Sequence, residues 1–173
     1  MSGADKYESQ YREKQGVCGE PFPEIAGFFE SYPKRAAQVL DLGCGQGRDA
    51  LMAARHGHSV LGVDSSETGI RQMLEDTDAE GLDVEGIVAD VTKYAIEGSY
   101  DVIILDRVLH MLEEKDRIDL LRQAIEQVAP DGFLLIADMP SNKPSLRDVF
   151  SENSQKWSAV LDKKGFLFMR KDA

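Results

Sequence analysis

The chain has 173 residues, 42% of them hydrophobic, which is enough to bury one sizeable core without splitting. Its formal net charge of −11 at pH 7 argues against a broad nucleic-acid surface, because phosphate binding uses a basic stripe and the sequence holds none. No apolar run approaches the roughly 20 residues needed to cross a bilayer, and the acidic N-terminus lacks the basic start of a signal peptide, so a cytoplasmic domain with no membrane partner is expected.

Residues 1–35 read as an extension ending in a short helix. Phe22, Ile25, Phe28 and Phe29 recur at near-helical spacing and suit a cover for a sheet or a ligand mouth. Tyr7, Tyr11 and Arg12 precede that segment, where a solvated terminus and a closing strap are equally open readings. Residues 36–173 read as one α/β domain. Its first strand, 38–42, reaches Asp41 and passes through Gly43, Gly45 and Gly47 into a helix over 48–56. Glycines at such a junction permit a tight turn and close approach of a ligand to the backbone. The G-x-G-x-G spacing departs from the dinucleotide pattern, whose third glycine would fall at Arg48, and this disfavors NAD and FAD. A P-loop is excluded as well, since Arg48-Asp49 stands where Lys-Ser or Lys-Thr is needed. The two cysteines, Cys18 and Cys44, make no disulfide framework, and Cys44 inside the loop reads as a packing group and not as a nucleophile.

The second strand, 59–63, ends at Asp64, which lies 23 positions after Asp41 (64 − 41), the separation expected of a carboxylate that receives a ribose diol. A helix over 67–75 leads to a third strand, 84–89, that runs into Asp90-Val91. The fourth, 100–105, carries the continuous run Val102-Ile103-Ile104-Leu105, which suits a central strand covered on both faces. Beyond it come Asp106, Arg107 and His110. His110 can accept a proton near neutral pH, although its place before Met111-Leu112 suits a helix cap or a partly packed histidine equally well. Ile118, Leu121, Ile125 and Val128 give a helix over 113–128 one apolar face, and Pro130-Asp131-Gly132 then breaks the pattern and starts a strand over 132–138. The C-terminus reads as a short helix, 145–153, and a hairpin pairing 157–161 with 166–170, with Trp157, Phe166, Phe168 and Met169 as packing groups. His56 and His58 read as surface or helix-end residues. The sequence shows no HExxH, no Cys-x-x-Cys and no compact His-carboxylate cluster, so no metal is expected.

The segments VLDLGCGQGRD, VLGVD, IVADV, SYDVIILDRVLHML and APDGFLLIAD together resemble class I S-adenosylmethionine-dependent methyltransferases, of the small kind related to tellurite-resistance and thiopurine methyltransferases. The resemblance implies a Rossmann-like, mostly parallel sheet of seven strands in the order 3-2-1-4-5-7-6, with helices on both faces. It also implies S-adenosyl-L-methionine as methyl donor and S-adenosyl-L-homocysteine as product. On that pattern the loop of Gly43, Cys44, Gly45 and Gly47 lies beside the methionine and ribose. Asp41 approaches the methionyl ammonium and Arg12 the carboxylate. Asp64 takes the ribose hydroxyls, Asp90 the adenine amino group and Val91 a ring nitrogen through its backbone, while Ser65 completes the adenosine pocket. Asp106 makes a further methionyl contact. Tyr11, Arg107 and His110 fall on the substrate side, with His110 the candidate catalytic group. The implied reaction is methyl transfer to a small molecule such as a thiol or chalcogen oxyanion, in which positioning is the main task. A cofactor-binding regulatory protein without turnover is the alternative, since fold alone does not fix function.

Overall fold

Val39, Leu40 and Leu42 are each at most 1% exposed, so the strand they build is covered on both faces, as a buried parallel strand requires. The computed structural model describes residues 3–173, and its chain divides into two units, one up to Val91 and one from Thr92. In the first, α1 (Gly3–Glu13) and α2 (Pro23–Ser31) precede β1 (Gln38–Leu42), α3 (Arg48–Arg55), β2 (Ser59–Asp64), α4 (Glu67–Glu80) and β3 (Val84–Val88). The second holds β4 (Tyr100–Asp106), a 3₁₀ turn (Leu109–Met111), α5 (Glu114–Glu126) and β5 (Val128–Ala137). A second 3₁₀ turn (Pro140–Asn142), α6 (Lys143–Glu152), β6 (Trp157–Lys163) and β7 (Phe166–Lys171) complete it.

The seven strands take the order β3-β2-β1-β4-β5-β7-β6, the Rossmann-like arrangement expected. Strands β1, β2 and β3 pair in parallel, as do β4 and β5, whereas β7 runs antiparallel to both β5 and β6. Parallel neighbours need crossover connections, and the flanking helices supply them. Among the described residues no helix is long and apolar enough to cross a membrane.

Several boundaries differ from the sequence reading for identifiable reasons. The N-terminal extension contains the helix α1 as well as α2. α5 stops at Glu126, where the Gln127 N–H closes onto Ala124 O at 3.0 Å, and Val128 leaves the helical face to pair with Tyr100 in β5. Pro130-Asp131-Gly132 therefore lies inside β5 as a bulge: the register jumps from Tyr100↔Val128 to Val102↔Phe133. A proline is tolerated at such an irregularity, and Gly132 is required there, because a Cβ would sit 2.8 Å from Ala129 O and 2.9 Å from Asp101 O. His58 is buried and not a surface group: its Nδ1 accepts the Ala37 N–H at 3.2 Å, and its ring lies 5.6 Å from that of Phe29. Trp157 packs edge-on against Phe150 at 5.1 Å, as a packing group should.

Candidate functional site

The loop after β1 turns through three left-handed glycines, Gly43 (φ 77°), Gly45 (φ 55°) and Gly47 (φ 85°), a conformation that other residues adopt only with strain. It is anchored to the end of β2, where Val63 O accepts from Gly43 N at 2.7 Å and from Cys44 N at 3.2 Å. Asp64 then holds the loop from the side. One carboxylate oxygen accepts the Gly45 N–H at 2.8 Å and the other accepts the Ser66 N–H at 2.8 Å. Each oxygen of an ionised carboxylate has two lone pairs, so after one internal bond apiece both can still accept a hydroxyl. That pair of acceptors fits the two hydroxyls of a vicinal diol. Burial pushes the Asp64 carboxyl above its ordinary range, against the two backbone hydrogen bonds, which lower it.

Asp41 is 2% exposed and lies on β1 opposite Gly62 of β2. Its charge adds to the burial that pushes the Cys44 thiol well up, so Cys44 stays a neutral packing group. Ser65 and Asp90 are exposed and Val91 is buried, at the ends of β2 and β3 where the adenosine contacts were expected.

Residues 8–18 are strapped onto this loop by contacts far apart in sequence. Tyr11 is 4% exposed, and its hydroxyl occupies the bare face of Gly45, 2.5 Å from where a Cβ would stand. The same hydroxyl lies 3.5 Å from Cys18 Sγ. Gln46 Nε2 donates to Lys14 O at 2.9 Å and to Gln72 Oε1 at 2.7 Å, and its Oε1 accepts the Val17 N–H at 2.9 Å. Gln72 Nε2 donates to Tyr11 O at 2.9 Å, and Arg48 Nη1 to Cys18 O at 3.1 Å. In the middle of α1, Glu8 accepts from Ser66 Oγ, from Thr68 Oγ1 at 2.6 Å and from Thr68 N at 3.3 Å. Arg12 donates to Glu8 at 2.8 Å, and its side chain is 70% exposed. The structure thus brings Tyr11, the glycine loop and Asp64 together and turns Arg12 toward Glu8. Gln46, Gln72 and Glu8 were missed. A buried glutamine inside a glycine loop was the available signal, but its partners are not local.

The hydroxyls of Ser66 and Thr68, together with the Arg12 guanidinium, lower the Glu8 carboxyl to about 2. A depressed carboxyl stabilises the fold above its unfolded pKa of about 4.3, and that contribution is lost as pH falls toward 2. Ser66 also caps α4, accepting the Gly69 N–H at 2.9 Å. Ser66→Ala removes both contacts, and a loss of about 1–2 kcal/mol is expected. Thermal unfolding at neutral pH checks the size. The same melt near pH 3 should show a smaller penalty, because Glu8 is then closer to losing its charge.

The second unit carries the other predicted residues. Asp106, 7% exposed, ends β4, and Arg107 follows in a left-handed conformation (φ 59°) with its N–H donated to Ala137 O at 2.8 Å. His110 sits in the 3₁₀ turn, partly buried. Its Nδ1 faces Asp138 Oδ1 at 3.4 Å, and neither atom has a hydrogen-bond partner among the described residues. Asp138 Oδ2 accepts from Asn142 Nδ2 at 2.9 Å, and Asn142 Oδ1 accepts from Arg117 Nη1 at 2.9 Å. Arg117 also donates to Leu109 O at 3.0 Å and Leu112 O at 2.9 Å, clamping the turn that bears His110. Burial lowers the His110 pKa and Arg107 and Arg117 add to that, while Asp138 opposes it; the imidazole is held neutral at physiological pH.

A family model described as a methyltransferase domain matches residues 39–132. A 2-heptyl-1-hydroxyquinolin-4(1H)-one methyltransferase of Mycobacteroides abscessus is 27% identical over 172 residues, covering 86% of this chain and 75% of that protein. A probable S-adenosyl-L-methionine-dependent methyltransferase TehB of Haemophilus influenzae is 30% identical over 126 residues, covering 69% of this chain. This chain spans only 43% of the TehB length. Among solved structures, a TehB-like methyltransferase from Corynebacterium glutamicum superposes with a TM-score of 0.75 at 21% identity, covering 98% of this chain and 97% of the other.

Proposed function

The chain belongs to the methyltransferase-domain family of class I S-adenosylmethionine-dependent enzymes, and from that membership we propose that it methylates a small-molecule acceptor. The observation that carries the reading is the Asp64 carboxylate, fixed by one backbone N–H on each oxygen beside a loop of three left-handed glycines. Asp64 would take the ribose diol. The loop of Gly43, Cys44, Gly45 and Gly47 would lie against the methionine and ribose, Asp41 would attract the ammonium, and Ser65, Asp90 and Val91 would border the adenosine. Arg12 would reach the methionyl carboxylate by exchanging Glu8 for it, and Asp106 would add a methionyl contact.

S-adenosylmethionine supplies an already activated methyl group, so the protein's work is to hold donor and acceptor in line and exclude water. Tyr11, Arg107 and His110 are assigned to the acceptor side. A small acceptor agrees with the net charge of −11 and with the small-molecule substrate in the name of the Mycobacteroides relative. A thiol, a chalcogen oxyanion or a related soft nucleophile fits this reading. Calorimetry with S-adenosylmethionine, followed by a metabolite screen with labelled donor and mass spectrometry of the product, tests it. Binding plus a methylated product is expected. Binding without S-adenosylhomocysteine release across the panel would favour the regulatory alternative, and absence of binding would overturn the cofactor assignment.

A further inference from the structure

Asp138 is a deeply buried carboxylate that faces another titratable group. Its side chain is 3% exposed, and one oxygen is fixed by Asn142, itself held by Arg117. The other oxygen faces His110 Nδ1 at 3.4 Å. An ionised carboxylate only accepts, so this contact selects the tautomer with the hydrogen on Nδ1 and leaves Nε2 as a bare acceptor. The distance exceeds the usual 2.7–3.2 Å of an N–H···O bond, and such contacts commonly tighten when the reacting complex forms. Arg117 fixes both ends of the arrangement, clamping the His110 turn through Leu109 O and Leu112 O while holding Asn142. Three side chains, Arg117 from α5, Asn142 from the second 3₁₀ turn and Asp138 at the end of β5, thus form one chain of contacts that ends on the His110 imidazole.

We propose that Asp138 is a positioning residue that presents His110 Nε2 as a proton acceptor, and that the acceptor class is therefore a thiol or hydroxyl that loses a proton on methylation, in preference to an oxyanion. This rests on the methyl-transfer reading above. In the step, the acceptor's sulfur or oxygen forms a bond to the methyl carbon. The carbon–sulfonium bond breaks, and its electron pair goes to sulfur. The acceptor's proton passes to Nε2, leaving neutral S-adenosylhomocysteine, the methylated product and an imidazolium beside the Asp138 carboxylate. An anionic acceptor needs no such base. The groups facing His110 agree with the role: Arg107 and Arg117 disfavour its charge beforehand, and Asp138 stabilises the charge once it forms.

Two measurements on the full chain decide it. With ¹⁵N-labelled histidine, NMR is expected to show His110 as the Nδ1–H tautomer, and Asp138→Asn is expected to abolish that preference. Wild-type His110 with its hydrogen on Nε2 overturns the proposal without reference to any acceptor. In the second, S-adenosylhomocysteine release is followed with 2-mercaptoethanol, protonated at neutral pH, and with 4-nitrothiophenol, which is ionised there. A positioned base contributes roughly 10²–10⁴-fold, so Asp138→Asn should cost the protonated thiol at least about 10-fold more in kcat than the ionised one, with KM for the donor little changed. Asn142→Ala should move the ratio the same way by less, which guards against misfolding of the first variant. Equal losses with both thiols overturn the base assignment alone. Donor binding without release from either thiol by the wild type counts instead against methyl transfer to small nucleophiles, while the tautomer still reports on Asp138.

Discussion

Replacing Asp64 with alanine is expected to weaken S-adenosylmethionine binding roughly 10- to 100-fold, the equivalent of one charge-assisted hydrogen bond lost to each variant molecule. The carboxylate is fixed before any ligand arrives, because Gly45 N and Ser66 N each hold one oxygen at 2.8 Å. Little ordering cost therefore remains to offset its bonds to a diol. The pH dependence gives a sharper signature. Burial raises the Asp64 pKa, so the group takes up its proton at a higher pH than an exposed aspartate. Donor affinity should fall as pH drops into that raised window, since protonation takes a lone pair from one oxygen and turns that oxygen into a donor. Stability moves the other way. A folded carboxyl pKa above the unfolded value means that the folded state binds the proton more readily, so Asp64's own contribution to stability improves on acidification. Asp64→Asn, which does not titrate, should remove both trends. Calorimetry with S-adenosylhomocysteine and thermal melts at matched pH check it, and an unchanged affinity in Asp64→Ala would sink the ribose assignment.

The parts of this protein that could be read from sequence are those with local causes. Strand β1, the glycine loop and the acids that follow β2 and β3 are set by apolar runs and by glycine spacing within a few residues, and their positions agree with the structure to within a residue or so. The C-terminal hairpin was legible for the same reason. Pro130-Asp131-Gly132 was not, because the triplet reads as a turn whether it ends a helix or bulges a strand. What decides is the pairing of Val128 with Tyr100, 28 residues away (128 − 100). The strap shows the same limit. Glu8 meets Ser66 and Thr68, and Gln72 meets Tyr11 O, across roughly sixty positions, with only ordinary polar residues at each end. Arg12 was assigned by analogy to a carboxylate and does face one, but it is Glu8, one helical turn away. Asp138 stood in view at the end of a predicted strand, yet its relation to His110 depends on two turns that follow different strands. Local patterning carries the glycine loop. The polar networks that hold it and orient His110 arise from topology.

A large stability effect is expected at Gly45. Its φ of 55° lies in the left-handed region, where an alanine costs about 1–2 kcal/mol. The added Cβ would also stand 2.5 Å from the Tyr11 hydroxyl and 3.3 Å from its Cζ. Tyr11 is 4% exposed and cannot swing away without leaving its site, so overpacking adds a further 1–3 kcal/mol or so. Gly45→Ala is therefore expected to lose about 2–5 kcal/mol in chemical denaturation. The two parts can be separated. Backbone strain belongs to Gly45 alone, whereas the clash needs the hydroxyl. Tyr11→Phe removes that oxygen, and in a double-mutant cycle it should recover part of the cost of Gly45→Ala. Hydrogen exchange gives the structural counterpart, because displacing the ring loosens the segment whose backbone Gln46, Gln72 and Arg48 hold at Lys14, Val17, Tyr11 and Cys18. Faster exchange should appear at 11–18 in Gly45→Ala while the strands β1 and β2 stay protected. Strict additivity of the two substitutions, with exchange in 11–18 unchanged, would show that the strap does not depend on the bare face of this glycine.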